Sequence, residues 1–277
     1  MKAKKSFGQH FLINEPLAEK IANSLTENLV GQNVLEIGPG KGVLTKYLLK
    51  QTINLRVVEA DQDMVTYLQK HYPEVSDKII FMDFLKLSMT RVFEGESFKI
   101  IGNFPYNISS QILIKMVNHR DIVPELVGMF QKEVAERVVA PPGSKTYGVI
   151  SVLVQAYYQG SLILKVSPGS FNPPPKVDSA VIRLIRKENQ HLGCDDKWFR
   201  IIVKTSFNQR RKMLRNTLKP LVSDEGVLSD PLFEKRPEQL SVEQFVLIVN
   251  RLFPYLKQIS HESRRKDQSG SEGSDEA

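Results

Sequence analysis

Asn103-Phe104-Pro105-Tyr106 closes an apolar run with four residue types suited to one task, receiving an amino group carried on a flat aromatic ring. Such an exocyclic amine is a poor nucleophile, because its lone pair is delocalised into the ring. The amide oxygen of Asn103 and the main-chain carbonyl of Phe104 can both accept from it and concentrate electron density on the nitrogen. Pro105 helps fix the turn that aims the Phe104 carbonyl. Tyr106 can stack on a base flipped out of its helix or loop. Taken alone, the same residues also describe a proline turn with a packed tyrosine.

A second constellation is the turn Glu36-Ile37-Gly38-Pro39-Gly40-Lys41-Gly42, which follows one apolar run and opens a helical pattern. Glycines there let the backbone approach a ligand closely and take up positive φ. A dinucleotide fold needs G-x-G-x-x-G. Gly38 and Gly40 fit it, but Val43 stands at the third position and the third glycine comes early, at Gly42. No Gly-Lys-Ser/Thr ending exists, which excludes a P-loop. Glu59 ends a second strand 21 residues after Gly38, where a carboxylate can hold ribose hydroxyls, and Asp83 ends a third, where it can accept from an adenine amine. Each acid alone also reads as a cap or turn residue. Together they line the carboxyl edge of a sheet, so a nucleoside-containing cofactor is expected. The E-x-G-x-G-x-G form resembles the first motif of S-adenosylmethionine-dependent methyltransferases. N-F-P-Y resembles the (Asn/Asp)-Pro-Pro-(Tyr/Phe) motif of the enzymes that methylate amino groups.

The elements that must position these residues alternate along the chain. Asn33 to Ile37, Leu55 to Ala60, Lys78 to Met82, Phe98 to Gly102 and Glu125 to Phe130 read as strands. Val43 to Lys50, Met64 to His71 and Ser109 to Asn118 have helical spacing. This order predicts βαβ units and a mostly parallel sheet. Leu162 to Val166 and Val177 to Ile185, separated by Pro173-Pro174-Pro175, would pair antiparallel at the sheet edge through a tight loop. Beyond Arg186 only helical patterns remain. The expected architecture is α/β: a Rossmann-like methyltransferase domain over 1–186, a small all-helical domain over 187–259 and a disordered polar tail over 260–277.

Composition narrows the function. The 277 residues carry a formal charge of +7 with a pI near 9.3, which favours an anionic partner. Residues 191–220 hold eight basic side chains against two acidic ones, nearly the whole excess. Arg210, Arg211, Lys212 and Arg215 read either as a solvated face or as a phosphate-contacting surface. If that segment is helical, Arg211 and Arg215 share a face. The single cysteine, Cys194, forms no internal disulfide and is far from the motifs, so cytosine-C5-type thiolate catalysis is excluded and a reducing, cytoplasmic setting is expected. The five histidines form no H-E-x-x-H pair, no metal site is expected, and no Gly-x-Ser-x-Gly elbow appears. The most apolar stretch, Val149 to Val166, is interrupted by polar residues, so no membrane span is expected, and no apolar run follows the basic N-terminus, so no secretory leader is expected.

Six segments together narrow the resemblance: Lys5 to Leu12 (KSFGQHFL), E-I-G-P-G-K-G, Asn103 to Ser109 (NFPYNIS), Gln131 to Ala135 (QKEVA), Pro142 to Gly148 and Phe171 to Val181 (FNPPPKVDSAV). In order and content they resemble the rRNA adenine N6-dimethyltransferases, in the bacterial small-subunit group, from about Lys4 to Leu256. The resemblance implies methyl transfer from S-adenosylmethionine to the N6 amines of two adjacent adenosines. These lie in the 3′-terminal hairpin loop of 16S rRNA in the 30S particle, and the expected enzyme is a monomer. It places cofactor contacts on His10, Leu12, Gly38, Gly40, Glu59, Asp83 and Asn103. The catalytic motif falls on Asn103 to Tyr106 and a second base-stacking aromatic on Phe171. Asparagine is the common family residue where this chain has His10, so that contact is expected through the main chain or another ring nitrogen. Two alternatives stay open: a large-subunit methyltransferase of the erythromycin-resistance type, and a non-catalytic RNA-binding, ribosome-assembly or mitochondrial transcription factor. The Lys176-Val177-Asp178-Ser179 run looks like the small-subunit group, and the intact acids and N-F-P-Y motif argue for catalysis.

Overall fold

A computed structural model describes residues 9–26 and 30–257. Lys5 to Gly8 of the first resembling segment and the tail expected over 260–277 lie outside the described residues. The chain runs β1 (Phe11–Leu12), α1 (Glu15–Ala22), β2 (Asn33–Ile37), α2 (Thr45–Leu48), β3 (Asn54–Glu59), α3 (Gln62–His71), β4 (Ile79–Phe81), α4 (Met89–Val92), β5 (Lys99–Asn103), α5 (Ser109–Asn118), β6 (Glu125–Gln131) and α6 (Lys132–Val139). It continues with α7 (Val149–Gln155), β7 (Tyr158–Val166), β8 (Phe171–Asn172), β9 (Ser179–Arg186), α8 (Asp196–Asn208), α9 (Leu214–Leu218) and α10 (Val242–Leu252).

Seven strands form one sheet in the order β4-β3-β2-β5-β6-β9-β7; the first five are parallel, and β9 and β7 add antiparallel. From β2 the chain winds outward through β3 to β4, then returns to place β5 on the other side of β2. That reversal opens a crevice beyond the carboxyl ends of β2 and β5, where open α/β sheets hold ligands. Alternate residues of each strand feed two apolar layers. Ile101, Val127 and Met129 face α1, α2 and α3, while Ile100, Leu126 and Phe130 face the layer containing α5, α6 and α7.

Helix ends follow local chemistry. The Asn14 side chain accepts from Leu17 N–H with Pro16 in the first turn of α1, Asp195 accepts from Trp198 N–H at the start of α8, and Ser241 with Gln244 forms a capping box on α10. The helical pattern from Val43 to Lys50 contracts to Thr45–Leu48, because turns occupy residues 40–44. The strand expected from Leu162 begins at Tyr158, and residues 167–178, not a tight loop, join β7 to β9. The apolar run at Val149 divides between α7 and β7, and no described helix is long and apolar enough to cross a membrane.

Helices α8, α9 and α10 bury Phe199, Ile202, Leu214, Phe245 and Ile248 in the same apolar cluster as Val152 and Leu153 of α7. A polar clamp crosses this junction. The Arg120 guanidinium lies 4.1 Å over the Tyr157 ring and 2.5 Å from Asp196, whose other oxygen accepts from the Tyr157 hydroxyl.

The Phe104 ring is buried over two glycines. A Cβ at Gly128 would lie 2.1 Å from Phe104 Cε2, and one at Gly102 would lie 2.7 Å from Cε1. Gly128→Ala should therefore push Phe104 out of place and destabilise the fold by ~1–3 kcal/mol, the usual cost of overpacking a core. Urea unfolding beside a methyl-transfer assay checks this; unchanged stability and activity would show that the slot has slack.

Candidate active site

The crevice is two-lobed. The first lobe, about 70 Å³, is lined by His10, Phe11, Leu12, Gly40, Asn103 and Tyr106, with Glu36 and Lys41. The second, about 520 Å³, is lined by Phe81, Met82, Asp83, Phe84, Asn107 and Ile108. Gly38, Glu59 and Pro105 line both. The structure thus brings together every expected cofactor-site residue and the whole Asn103–Tyr106 motif. Their common location follows from the parallel sheet, since Glu36, Glu59 and Asn103 all stand at or near the carboxyl ends of neighbouring strands.

The glycine turn is shaped by Glu59. One carboxylate oxygen accepts from Gly40 N–H at 3.2 Å; the other accepts from Ala60 and Asp61 N–H, both at 2.9 Å. Gly40 has φ +55°, and a side chain there would press on the Phe11 ring at 3.2 Å. Gly42 has φ +75°, and a Cβ would meet Tyr72 at 2.4 Å. This explains the early third glycine: residue 42 needs both the left-handed backbone and the missing side chain. Burial raises the Glu59 pKa, against its three backbone hydrogen bonds. Glu36 is almost wholly buried; loss of hydration pushes its carboxyl up to about 8, despite a 2.7 Å hydrogen bond from the Thr45 hydroxyl.

Asn103 donates from Nδ2 to the main-chain carbonyl of His10 at 2.9 Å. That bond fixes the amide, so Oδ1 is the group left to accept from something else. The His10 ring stacks on Tyr106, with centroids 5.5 Å apart and planes inclined by 26°. Its Nδ1 donates to the Pro173 carbonyl at 2.8 Å. Tyr106 is held at its other end by a 2.6 Å hydrogen bond between its hydroxyl and that of Ser179 in β9. Residues 9–14 form a strap over the first lobe: β1 pairs with β8, Gln9 Nε2 donates to Asp61, and the Lys41 ammonium sits 5.0 Å over the Phe11 ring.

Three expectations change. Phe171 does not enter either lobe; the residue is 2% exposed, opposite Leu12 in the β1–β8 pair, because burial in the apolar layer below the strap outweighs display to solvent. Residues 210–215 are not one helix: α8 ends at Asn208, 209–212 form a turn, and α9 begins at Leu214, so Arg211 and Arg215 share no helix face. Arg210 turns inward, donating to the Ser144 carbonyl at 3.1 Å with Glu238 at 4.0 Å, while Arg215 faces Glu234 at 3.4 Å. Among the described residues no ion pair engages Arg211 or Lys212, and both are exposed. Sequence reasoning missed Glu36, Phe11, Lys41 and Ser179 as parts of the site. Glu36 and Lys41 stood inside the glycine motif, but nothing local marks Phe11 or Ser179.

The model of the ribosomal RNA adenine dimethylase family matches residues 1–253. The chain is 52% identical over 258 residues to the ribosomal RNA small subunit methyltransferase A of Bacteroides thetaiotaomicron, covering 93% of this chain and 96% of that one. It is 53% identical over 253 residues to the protein of that name from Flavobacterium johnsoniae, covering 91% and 96%. Among solved structures it resembles a dimethyladenosine transferase from Plasmodium falciparum, with a TM-score of 0.75, 26% identity and coverage of 90% and 100%. The 23S rRNA methyltransferase ErmE shares the fold, with a TM-score of 0.66, 23% identity and coverage of 88% and 99%. With its two-lobed crevice, its glycine turn and its N-F-P-Y turn in one continuous match, the chain belongs to the ribosomal RNA adenine dimethylase family.

Proposed function

We propose that this chain transfers methyl groups from S-adenosylmethionine to the N6 amines of two adjacent adenosines in the 3′-terminal hairpin loop of 16S rRNA, acting on the 30S particle as a cytoplasmic monomer. The observation that carries the chemistry is the fixed amide of Asn103, whose NH₂ is committed to the His10 carbonyl so that its oxygen is left for a target amine. Relatives at 52% and 53% identity named for the small subunit support that substrate over the large-subunit alternative, with which only the fold is shared.

The residues fit the cofactor. The second lobe has room for a nucleoside, with Asp83 at its wall and Glu59 at the junction of the lobes, where the adenine amine and ribose hydroxyls would be held. The narrower first lobe, under the strap, takes the amino-acid end, against Gly38 and Gly40 and beside His10 and Leu12. S-adenosylmethionine bound there supplies an electrophilic methyl group. Asn103 Oδ1 and the Phe104 carbonyl accept from the target amine and aim its lone pair into the crevice. Tyr106, held by Ser179, offers a ring against which the base stacks. The turn between α8 and α9 carries Arg211 and Lys212, and α9 carries Arg215, at the surface, where they grip rRNA phosphates.

Asn103→Ala should lower methyl transfer to undermethylated 30S particles by ~10²–10³, the scale for losing one aimed polar group at a transition state, with cofactor affinity only modestly weakened. Activity within threefold of wild type would overturn the mechanism. Asp83→Ala and Glu59→Ala should each weaken cofactor binding by ~1–3 kcal/mol, read by calorimetry. Reversing charge at Arg211 and Lys212 should weaken particle binding and flatten its log–log salt dependence by roughly 0.7–0.9 for each phosphate no longer neutralised. Filter binding over a salt series checks this, and an unaltered slope would make these side chains a solvated face.

Glu36 generates a pH prediction. Its folded pKa of about 8 lies above the ordinary value of 4.5, so the folded state holds a proton that the unfolded state releases. Its contribution is fully present below the unfolded value and is lost as pH rises toward 8, at up to about 1.4 kcal/mol per pH unit. Glu36→Gln, which keeps an acceptor for Thr45, should therefore gain stability relative to wild type from pH 5 to pH 8 in parallel urea melts. A constant difference across that range would show that Glu36 is ionised when folded.

A further inference from the structure

The turn after Asp83 is held from an unexpected side. Residues Phe84–Lys86 form a single 3₁₀ turn, with Asp83 accepting from Leu85 N–H at 2.9 Å through one carboxylate oxygen. Three carbonyls of this segment converge on one ammonium: Lys115 Nζ donates to the carbonyls of Phe84 at 2.6 Å, Leu85 at 2.9 Å and Leu87 at 2.6 Å, the first of which also closes the turn by accepting from Leu87 N–H at 3.1 Å. All three ammonium protons are thereby used, and the charge also sits 4.9 Å over the Phe84 ring. The Leu85 residue is gripped twice, by Asp83 at its N–H and by Lys115 at its C=O. Burial lowers the Lys115 pKa and the charge of Asp83 opposes this, so the two groups sense one another across the turn. Lys115 belongs to α5, which starts three residues after Tyr106, so the same helix follows the catalytic turn and fastens the wall of the nucleoside lobe.

We propose that Lys115 is a positioning residue for cofactor recognition: by neutralising the carbonyl end of the Phe84–Leu87 turn it sets the second oxygen of Asp83 where it accepts from the adenine amine. The turn that Lys115 holds borders the nucleoside lobe through Asp83 and Phe84. The proposal rests on the reading that Asp83 meets the adenine amine.

The test compares binding of S-adenosylhomocysteine and S-inosylhomocysteine, which carries a carbonyl in place of the amine, to the full chain by calorimetry. Wild type should prefer the adenine compound by about tenfold or more, since an acceptor facing a carbonyl forfeits a hydrogen bond. Lys115→Met should bind the adenine compound about five- to tenfold more weakly and prefer it by less than threefold. Its KM for the methyl donor should rise while kcat at saturation stays within threefold. Lys115→Arg, which keeps a cation with several donors, should retain the preference. Lys115→Gln is a second variant in case the methionine one does not fold, and should also lose the preference; thermal unfolding reports on both. A wild type that binds both compounds equally overturns the Asp83 reading and this proposal with it. A wild type that discriminates beside Lys115→Met or Lys115→Gln variants that discriminate as well overturns the Lys115 proposal alone.

Discussion

The Phe104 ring lies in a slot that only two glycines can provide. Gly102 and Gly128 stand side by side on β5 and β6, and their absent side chains leave the space the ring fills, edge-on to Phe130 at 5.2 Å. Burying an aromatic side chain is worth ~1.5–3 kcal/mol, and here that energy adds to the polar anchors of the turn at Asn103 and Tyr106. With the ring fixed on one face of the sheet, Asn103, Pro105 and Tyr106 line the crevice. The residue whose main chain is proposed to meet the target amine thus has its side chain committed to the core. This separates the chemistry from the packing that aims it.

Around that anchor the site is built by groups distant in sequence. His10 receives the Asn103 amide, stacks on Tyr106 and reaches the Pro173 carbonyl, so one residue of the strap touches both ends of the N-F-P-Y turn and the loop before β9. Ser179 holds the Tyr106 hydroxyl from the antiparallel extension of the sheet. Strand β9 therefore does more than widen the sheet; it fixes the Tyr106 ring from the far side. On the cofactor side Glu59 shapes the glycine turn through the same carboxylate proposed to meet the ribose, so ligand binding and turn geometry draw on one group.

The helical end of the chain is bound into the same architecture. Its helices share an apolar layer with α7, and the Arg120–Asp196–Tyr157 clamp ties the end of α5 to the start of α8. Exposed basic side chains between α8 and α9 are thus carried on a firmly docked element.

Much was legible in the sequence because it was local. Period-two and helical patterns marked the alternating elements, and in a parallel sheet that alternation brings strand ends to one edge, so Glu59, Asp83 and Asn103 could be placed together. The glycine turn and the N-F-P-Y run likewise carry their backbone requirements in residue type. Whatever depends on packing between distant parts of the chain was settled only on folding. Phe171 looked available for stacking but is buried opposite Leu12, because a two-residue pairing 159 positions away in sequence covers it. The residue types of the basic run from Arg210 left open whether it shares one helix face; α8 stops at Asn208, and the basic side chains divide between inward bonds and solvent. Gly128 and Lys115 carried no local signal at all. One acts by lacking a side chain beside Phe104 and the other by meeting carbonyls some 30 residues away, and no periodicity encodes either.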